Sequence, residues 1–325
     1  MIGRTRGCWM TVLTVLVTLT GSAWLAGCGG GKAVTRTEDT IPPGTASKAE
    51  LIAELKNRME GLYTLTAKAH VEMVDQSVER DGKFPTTEVN GQLLLKRAPD
   101  GNRQVRFSVQ TLFPPTNFTF LARNEDFWIL MPDFAKEPAR DGKKGTVYIG
   151  KTLRDELRPR ESFSRRPQDI ADVFLVDEVF DRAMIVYMET WEPYYILHFL
   201  RPDRPEHLYS KIWINRLSGD MSVHQIFDRS GALLVEGRFL DYRERRSQAG
   251  DFSVKLPTEF SVIWPRDKLV LNSELGNINL NNQVRDERFD PVLPRDYRIY
   301  KLRGEAEAPS GSADGRSPSS PPLGD

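Results

Sequence analysis

The 325-residue chain is poor in the residue types on which most metal, redox and nucleophilic sites depend. It holds only two cysteines and four histidines, which are Cys8, Cys28, His70, His198, His207 and His224. None of them belongs to a Cys-x-x-Cys pair, a His-Glu-x-x-His motif or a nucleophile elbow. We expect His70, His198 and His224, but not His207, to lie on strands, and all four to be structural or surface residues. The sequence predicts no catalytic site, no metal and no cofactor.

The chain also lacks an excess of charge of either sign. Lysine and arginine together number 45, and aspartate and glutamate also number 45. A nucleic-acid-binding protein usually shows a basic domain or stripe, so we expect no nucleic-acid partner. Hydrophobic residues make up 39% of the chain, which also contains 24 glycines and 21 prolines. This composition is typical of a globular body with many turns.

A single long uncharged run lies at the N-terminus. Arg4 and Arg6 precede residues 9–27, a stretch of apolar and small residues without any charge. A basic region followed by an apolar region and small residues is typical of a secretory signal peptide. An uncleaved transmembrane helix is the competing interpretation, because about 20 apolar residues suffice to cross a bilayer.

The end of the uncharged run distinguishes these interpretations. The segment Leu25-Ala26-Gly27-Cys28 resembles the lipobox of bacterial lipoproteins, in which the cysteine receives a diacylglyceryl group and the chain is cleaved before it. The resemblance implies cleavage between Gly27 and Cys28, lipidation of Cys28 and attachment to a membrane. A structural or reactive thiol at Cys28 is a further alternative. Gly29 follows, and the absence of aspartate there favours the outer membrane.

These features divide the chain into four parts. Residues 1–27 are predicted to be the signal peptide, and residues 28–47 the lipidated cysteine with a flexible Gly/Pro-rich tether. Residues 48–303 form the predicted folded body. Residues 304–325 are of low complexity, and we expect them to be disordered.

Two helices are predicted within the body. Ser47 followed by Glu50 forms a capping-box pattern, and apolar residues then recur at helical spacing as far as Leu62. The segment 167–180 is the second helix candidate, with Ile170, Val173, Phe174 and Val179 on one side.

For nearly all of the remaining body the sequence predicts short strands in which apolar and polar residues alternate. Turns that contain Gly, Pro and Asp separate these strands. Strands joined in chain order by short turns pair antiparallel. The predicted class is therefore α+β, mostly antiparallel β, with one large curved sheet that forms an incomplete (half) barrel plugged by helices. Two helices are too few to fill a closed barrel of about a dozen strands, so we expect an apolar hollow.

This arrangement resembles the LolA/LolB-like superfamily of outer-membrane lipoprotein-sorting proteins. The resemblance rests on the N-terminal helix before the sheet, on the strand–turn–strand stretch 211–242 around Gly219, and on the closing segment 256–291. It implies that the hollow binds an acyl chain, a lipid or a lipoprotein. It also implies that the protein faces the periplasm. Lipid-anchored members of this group are LolB-like, and Cys28 places the chain with them. The alternative is a structural or interaction lipoprotein with a packed barrel.

Six aromatic residues on predicted strands could line the hollow or fill the core. They are Phe107, Phe118, Phe120, Trp128, Phe260 and Trp264. In a half-barrel the face that forms the core is also the face that would line a ligand cavity, and large apolar side chains suit an acyl chain.

An apolar turn and a basic stretch each allow two interpretations. Leu112 and Phe113 lie in a turn between two predicted strands, which either folds onto the core or touches the membrane, as a protruding loop does in the LolB-like group. The basic stretch 154–166 is either a solvated loop or a contact for anionic head groups.

Overall fold

The computed structural model describes residues 45–77, 79, 82–97, 103–110, 117–132, 142–151, 166–176, 180 and 185–302. Its helices and strands belong to one compact unit, Pro43–Asp325. In chain order the described elements are α1 (Lys48–Glu60), β1 (Thr64–Asp75), β2 (Thr86–Arg97), β3 (Arg103–Gln110), β4 (Asn117–Arg123), β5 (Asp126–Pro132), β6 (Gly145–Lys151), α2 (Pro167–Phe174), β7 (Ile185–Trp191), β8 (Tyr194–Arg201), β9 (Arg204–Asn215), β10 (Met221–Phe227), β11 (Leu233–Arg246), β12 (Ser253–Trp264), β13 (Leu269–Leu280), a 3-10 helix (Asp286–Phe289) and β14 (Tyr297–Lys301).

All fourteen strands join in one sheet. Their order is β14-β6-β5-β4-β3-β2-β1-β13-β12-β11-β10-β9-β8-β7. Neighbours pair antiparallel, except that β14 runs parallel to β6. The first and last long strands meet in the middle of the sheet, where Leu65 of β1 lies opposite Leu280 of β13. Strands β1–β6 thus form one half of the sheet and β7–β13 the other, and β14, from the C-terminal end of the chain, completes the edge of the first half beside β6.

Helix α1 closes one end of this sheet. Its start is capped as predicted, because the Ser47 hydroxyl accepts from the Glu50 N–H and the Glu50 carboxylate accepts from the Ser47 N–H. Its apolar side, with Leu51, Leu55 and Met59, is buried against the sheet. The helix ends next to Gly61, and β1 begins three residues later at Thr64.

Strand alternation divides the sheet into two faces. On β1 the side chains of Leu65, Ala67, Ala69 and Val71 are buried in the main core, which also includes α1 and α2. We call this the inner face. The intervening residues point to the opposite, outer face, as the period of two in a strand requires.

The sheet curves around α2. This helix contacts β3, β4 and β5 in one half of the sheet and β10 and β11 in the other. In the strand order β4 and β10 are seven positions apart, which is roughly 33 Å in a flat sheet. A helix of eight residues is only about 12 Å long. The sheet must therefore wrap around the helix, and the architecture is the α+β half-barrel plugged by helices that the sequence predicts.

Some local expectations are wrong. Strands do not all pair in chain order, because β1 meets β13 and β6 lies far across the sheet from β7. Helix α2 ends at Phe174, earlier than the apolar spacing of segment 167–180 predicts. His207 lies on β9 and not in a loop. In each case the strand pairing or the end of the element depends on residues that are distant in the sequence and not on the local pattern.

Candidate functional site

The hollow of the half-barrel is occupied by α2. Seven of its eight residues are buried, and Asp172 is the exception. Ile170, Val173 and Phe174 belong to the main core cluster together with the inner face of the sheet. A helix that is apolar around most of its circumference has its place inside a protein, and α2 follows this rule.

Aromatic packing holds the C-terminal end of α2 against the sheet. The ring of Phe174 makes edge-to-face contacts with Phe239 of β11 and Phe260 of β12, with centroids 5.7 and 5.6 Å apart. Gly237 makes room for the helix on β11. A Cβ at this position would lie 2.8 Å from the Cβ of Val173 and 2.8 Å from the Phe239 ring. The helix therefore approaches the strand at a point where only glycine leaves enough space.

A buried ion pair holds the N-terminal end of α2. The Arg166 guanidinium lies 2.9 Å from the Asp169 carboxylate, which also accepts the Arg166 backbone N–H. The indole Nε1 of Trp264, at the end of β12, donates to the same carboxylate at 2.9 Å. Each partner thus satisfies a polar group that would be costly to bury alone.

A second hydrogen-bond link joins α2 to β9 and β10. His224 Nδ1 lies 3.1 Å from the Val173 carbonyl, and His224 Nε2 lies 2.8 Å from the Ser210 hydroxyl. Since a carbonyl only accepts, Nδ1 carries the proton and Nε2 accepts from the hydroxyl. Burial lowers the pKa of His224 to about 4, the Val173 hydrogen bond opposes this shift, and the Arg103 charge adds to it. The imidazole is neutral at pH 7.

The Ser210–His224 pair has the spacing of a nucleophile and its base, but its surroundings do not suit that chemistry. Both residues are 0% exposed, so neither reaches solvent or a dissolved substrate. A general base works best with a pKa near the operating pH, and the His224 pKa lies well below it. The pair therefore serves to connect α2 with the sheet.

A third link lies at the other half of the sheet. Arg103, at the start of β3, places Nη1 3.0 Å from the Asp172 carboxylate. Strands β3, β10 and β12 each send one polar side chain to α2, from both halves of the half-barrel. The arrangement is an apolar plug held by a few hydrogen bonds in a hollow lined by aromatic rings.

The structure brings five of the six predicted aromatic residues together on the inner face. They are Phe107, Phe118, Phe120, Phe260 and Trp264, and all are 6% exposed or less. All five are packed in the main core cluster, and Phe260 also borders a hollow of about 510 Å³.

Trp128 lies on the other face of the sheet, so its expected place in the hollow is wrong. It packs against the small outer-face cluster of Leu94, Leu121, Val284 and Phe289. The strand alternation explains the difference, because Phe127 and Ile129 on either side of Trp128 point into the main core.

Other predicted positions lie outside the described residues. These are Gly27 and Cys28, the apolar turn with Leu112 and Phe113, and most of the basic stretch. Arg166, the last residue of that stretch, is buried in its ion pair with Asp169 and offers no contact for a head group.

The outer face carries hollows of a different character. One of about 510 Å³ is lined mainly by polar groups, including the carboxylates of Glu72, Glu88, Glu259 and Glu274. Carboxylates do not suit an acyl chain, so this hollow is not a candidate lipid site. Within the described ranges, no three His, Cys, Asp or Glu side chains are grouped as metal ligands. Nor does any helix there have the length and apolar character to span a bilayer.

The links between α2 and the sheet were not found from the sequence. Asp169, His224 and Ser210 belong to no motif, and their partners are distant along the chain. One local signal exists, since Asp169 follows Gln168 on a short helix with three polar residues among eight, and an acidic residue on a buried helix indicates a buried partner.

Comparison with known proteins gives structural similarity only. No protein-family model matches the chain, and no curated protein matches its sequence. A LolA superfamily protein from Nitrosomonas europaea is 14% identical with a TM-score of 0.46, over 76% of this chain and 98% of that one. An outer-membrane lipoprotein-sorting protein domain from Vibrio parahaemolyticus is 12% identical with a TM-score of 0.45, over 74% and 95%. A DUF1329 family protein from Desulfovibrio piger is 14% identical with a TM-score of 0.42, over 74% and 95%.

Proposed function

We propose that this chain is an envelope lipoprotein, anchored through Cys28, whose half-barrel binds an acyl chain in the space that α2 occupies. The observation that carries the proposal is the position of α2, an apolar helix wrapped by the inner face of the sheet. An acyl chain offers the same kind of surface as the side chains of Ile170, Val173 and Phe174. Loading then means exchange of one apolar occupant for another.

The energetics of such an exchange are balanced. Burial of an acyl chain gains about 25 cal/mol for each Å² of apolar surface removed from water. Displacement of α2 exposes its own apolar side chains and breaks its links to Trp264, His224 and Arg103. The apolar parts of the gain and the cost have the same origin, so the ligand replaces the helix without a large net change in buried apolar area. The broken polar links are an additional cost of loading.

The anchor rests on the N-terminal sequence. The lipobox-like Leu25-Ala26-Gly27-Cys28 follows a basic and apolar leader. Acylation of one cysteine by several chains holds a protein stably, whereas a single chain holds it only marginally. We propose that residues 28–47 tether the half-barrel to the periplasmic side of a membrane, with the outer membrane favoured.

Native mass spectrometry of residues 29–325 with a fluorescent fatty acid as probe tests the proposal. This fragment keeps every described element. We expect a lipid to co-purify or the probe to bind, and Phe260→Ser to weaken probe binding at least tenfold. Trp128→Ser is the matched control, since it removes an aromatic residue from the outer face and leaves binding unchanged. Equal loss in both variants contradicts binding on the inner face.

A second candidate function is favoured by the tight packing of the inner face. Phe107, Phe120 and Trp264 are at most 2% exposed, as in the core of a protein that binds nothing there. In that case the chain is a structural or interaction lipoprotein that uses its outer face or edges. Absence of co-purified lipid, together with no uptake of the fatty acid, supports this second function and overturns the first.

A further inference from the structure

The sheet ends in two strands, β7 and β14, at its opposite edges. In the part of the chain that the structure describes, no strand pairs with the free side of either. On β7, Tyr187 and Trp191 are 60% and 62% exposed, and Met188 is also exposed. On β14, Ile299 and Tyr300 are 54% and 52% exposed. The two edges thus hold five of the eleven large apolar residues that are exposed among the described residues.

Strand β7 has few of the features that protect an edge from pairing. Its sequence is IVYMETW, with one charged residue and no lysine or proline of its own, and the one lysine beside it is Lys48 of α1, whose Nζ donates to the Val186 carbonyl at 2.9 Å. Natural sheets usually protect their edges with charges, proline or bulges, because an unpaired strand is a template for another strand. The residues of β7 are instead those with high strand propensity. This edge suits an added strand.

The two edges carry opposite charge. Glu189 lies on β7, and Glu192, which is paired with Arg216, directly follows it. Arg298 and Lys301 lie on β14, and Arg295 and Asp296 precede it, with Asp296 paired with Lys144. The Glu189 carboxylate is held on the outer face by His198, 3.0 Å away. Pairing of β7 with a second β7 would bring acidic edges together, whereas pairing of β7 with β14 joins an acidic edge to a basic one.

The faces of the two strands also correspond. On β7 the side chains of Tyr187, Glu189 and Trp191 point outward, because their neighbours Val186 and Met188 lie opposite inner-face residues of β8. On β14 the inward Tyr300 stacks on Tyr148, which leaves Tyr297, Ile299 and Lys301 on the outer face. Each outer face therefore presents two apolar residues and one charge, and the charges are opposite.

We propose that β7 of one molecule pairs with β14 of a second copy, so that the sheet continues from one half-barrel to the next. The contact is heterologous, with different surfaces on the two partners, and it leaves a free β7 and a free β14 at the ends of every assembly. Such contacts generate rings or open chains and not two-fold dimers. A short edge contact is weak in dilution, and attachment of both copies to one membrane raises their effective concentration.

Charge exchange on residues 29–325 tests this contact, with association measured by analytical ultracentrifugation over a range of concentrations. We expect association beyond the dimer that weakens as salt rises. Glu189→Lys and Lys301→Glu should each weaken association by about three- to fivefold, since like charges across a strand pair are unfavourable. The double variant with both exchanges should restore it, because each new lysine then faces a new glutamate on the neighbouring copy.

Two controls separate this contact from others. Glu88→Lys reverses an exposed charge on the central strand β2 and should leave association unchanged. The second control is the unfolding midpoint of each variant. Glu189→Lys also removes the contact with His198, and an unchanged midpoint would show that this loss does not unfold the chain. A monomer at all concentrations overturns the proposal, and so does a double variant that stays as weak as the single ones. If Glu189→Lys changes association and Lys301→Glu does not, β7 pairs with a second β7. That outcome also overturns the proposed pairing of β7 with β14. These outcomes are independent of lipid binding.

Discussion

The indole of Trp264 and the carboxylate of Asp169, 95 residues apart in the sequence, form a buried hydrogen bond of 2.9 Å between Nε1 and Oδ2. Both side chains are about 1% exposed. The bond joins the end of β12 to the first turn of α2. Together with the link between His224 and Val173, it determines how firmly α2 stays in the hollow.

Loss of the Asp169 carboxylate should therefore destabilise the fold strongly. We expect Asp169→Ala to lower the free energy of unfolding by about 3 kcal/mol, because Arg166 then loses its nearest buried counter-charge and keeps only Asp172, 3.7 Å away. Trp264→Phe keeps most of the ring and should cost about 1 to 3 kcal/mol. Urea unfolding of both single variants and of the double variant measures their coupling. Strict additivity would contradict the direct bond.

His224 should make stability depend on pH between about 6.5 and 4. Its pKa in the folded state is about 4 against the ordinary 6.5, so the unfolded chain binds a proton first as pH falls. Stability is then full above pH 6.5 and is lost progressively as pH falls to 4, by about 3 kcal/mol at 1.36 kcal/mol for each pKa unit. Urea midpoints across this range measure it. In the variant His224→Gln this part of the pH dependence of stability should disappear. If the dependence stays unchanged, His224 is not its source.

Gly237 should be needed for the close approach of α2 to β11. In Gly237→Ala the new methyl group collides with Val173 and Phe239, and we expect a cost of about 1 to 3 kcal/mol. The matched control is Gly276→Ala on β13, where a Cβ meets nothing within 4 Å. Thermal unfolding should distinguish the two, and equal midpoints would show that α2 can shift without cost.

The apolar turn should contribute to membrane contact. We expect replacement of Leu112 and Phe113 with serine to leave the unfolding midpoint unchanged and to weaken binding to anionic lipid vesicles by several-fold. Vesicle co-sedimentation of residues 29–325 measures this. Leu240→Ser removes an exposed apolar residue from β11 and should have no effect. Binding that stays constant in the turn variant would assign the turn to the core.

Cys28 should carry the anchor. Cells that express the full chain with labelled palmitate should label the wild-type protein, and Cys28→Ser should abolish the label and the cleavage of the leader. The mature protein should begin at Cys28 by mass spectrometry. A chain that stays uncleaved and membrane-bound without any label would instead support an uncleaved transmembrane anchor.

Local pattern was sufficient where neighbours in the chain decide the structure. The capping box of Ser47 and Glu50 predicted the start of α1, because the bonds lie within one turn. Alternation predicted the strands that carry Phe107 and Phe120, and the structure places both side chains in the main core. The same alternation in β5 places Trp128 outward, and a strict count of its phase would have corrected that assignment from the sequence.

The sequence by itself determined the fold class, the predominance of antiparallel strands and the position of the first helix, because periodicity and capping are short-range properties of the chain. The tertiary structure alone decided that β1 pairs with β13, that Trp264, His224 and Arg103 hold α2 in the hollow, and that β7 and β14 end the sheet. These outcomes depend on contacts between residues about 50 to 215 positions apart, from His224 and Val173 to Leu65 and Leu280. No local pattern encodes them, because they are selected by the closure of one sheet around one apolar helix.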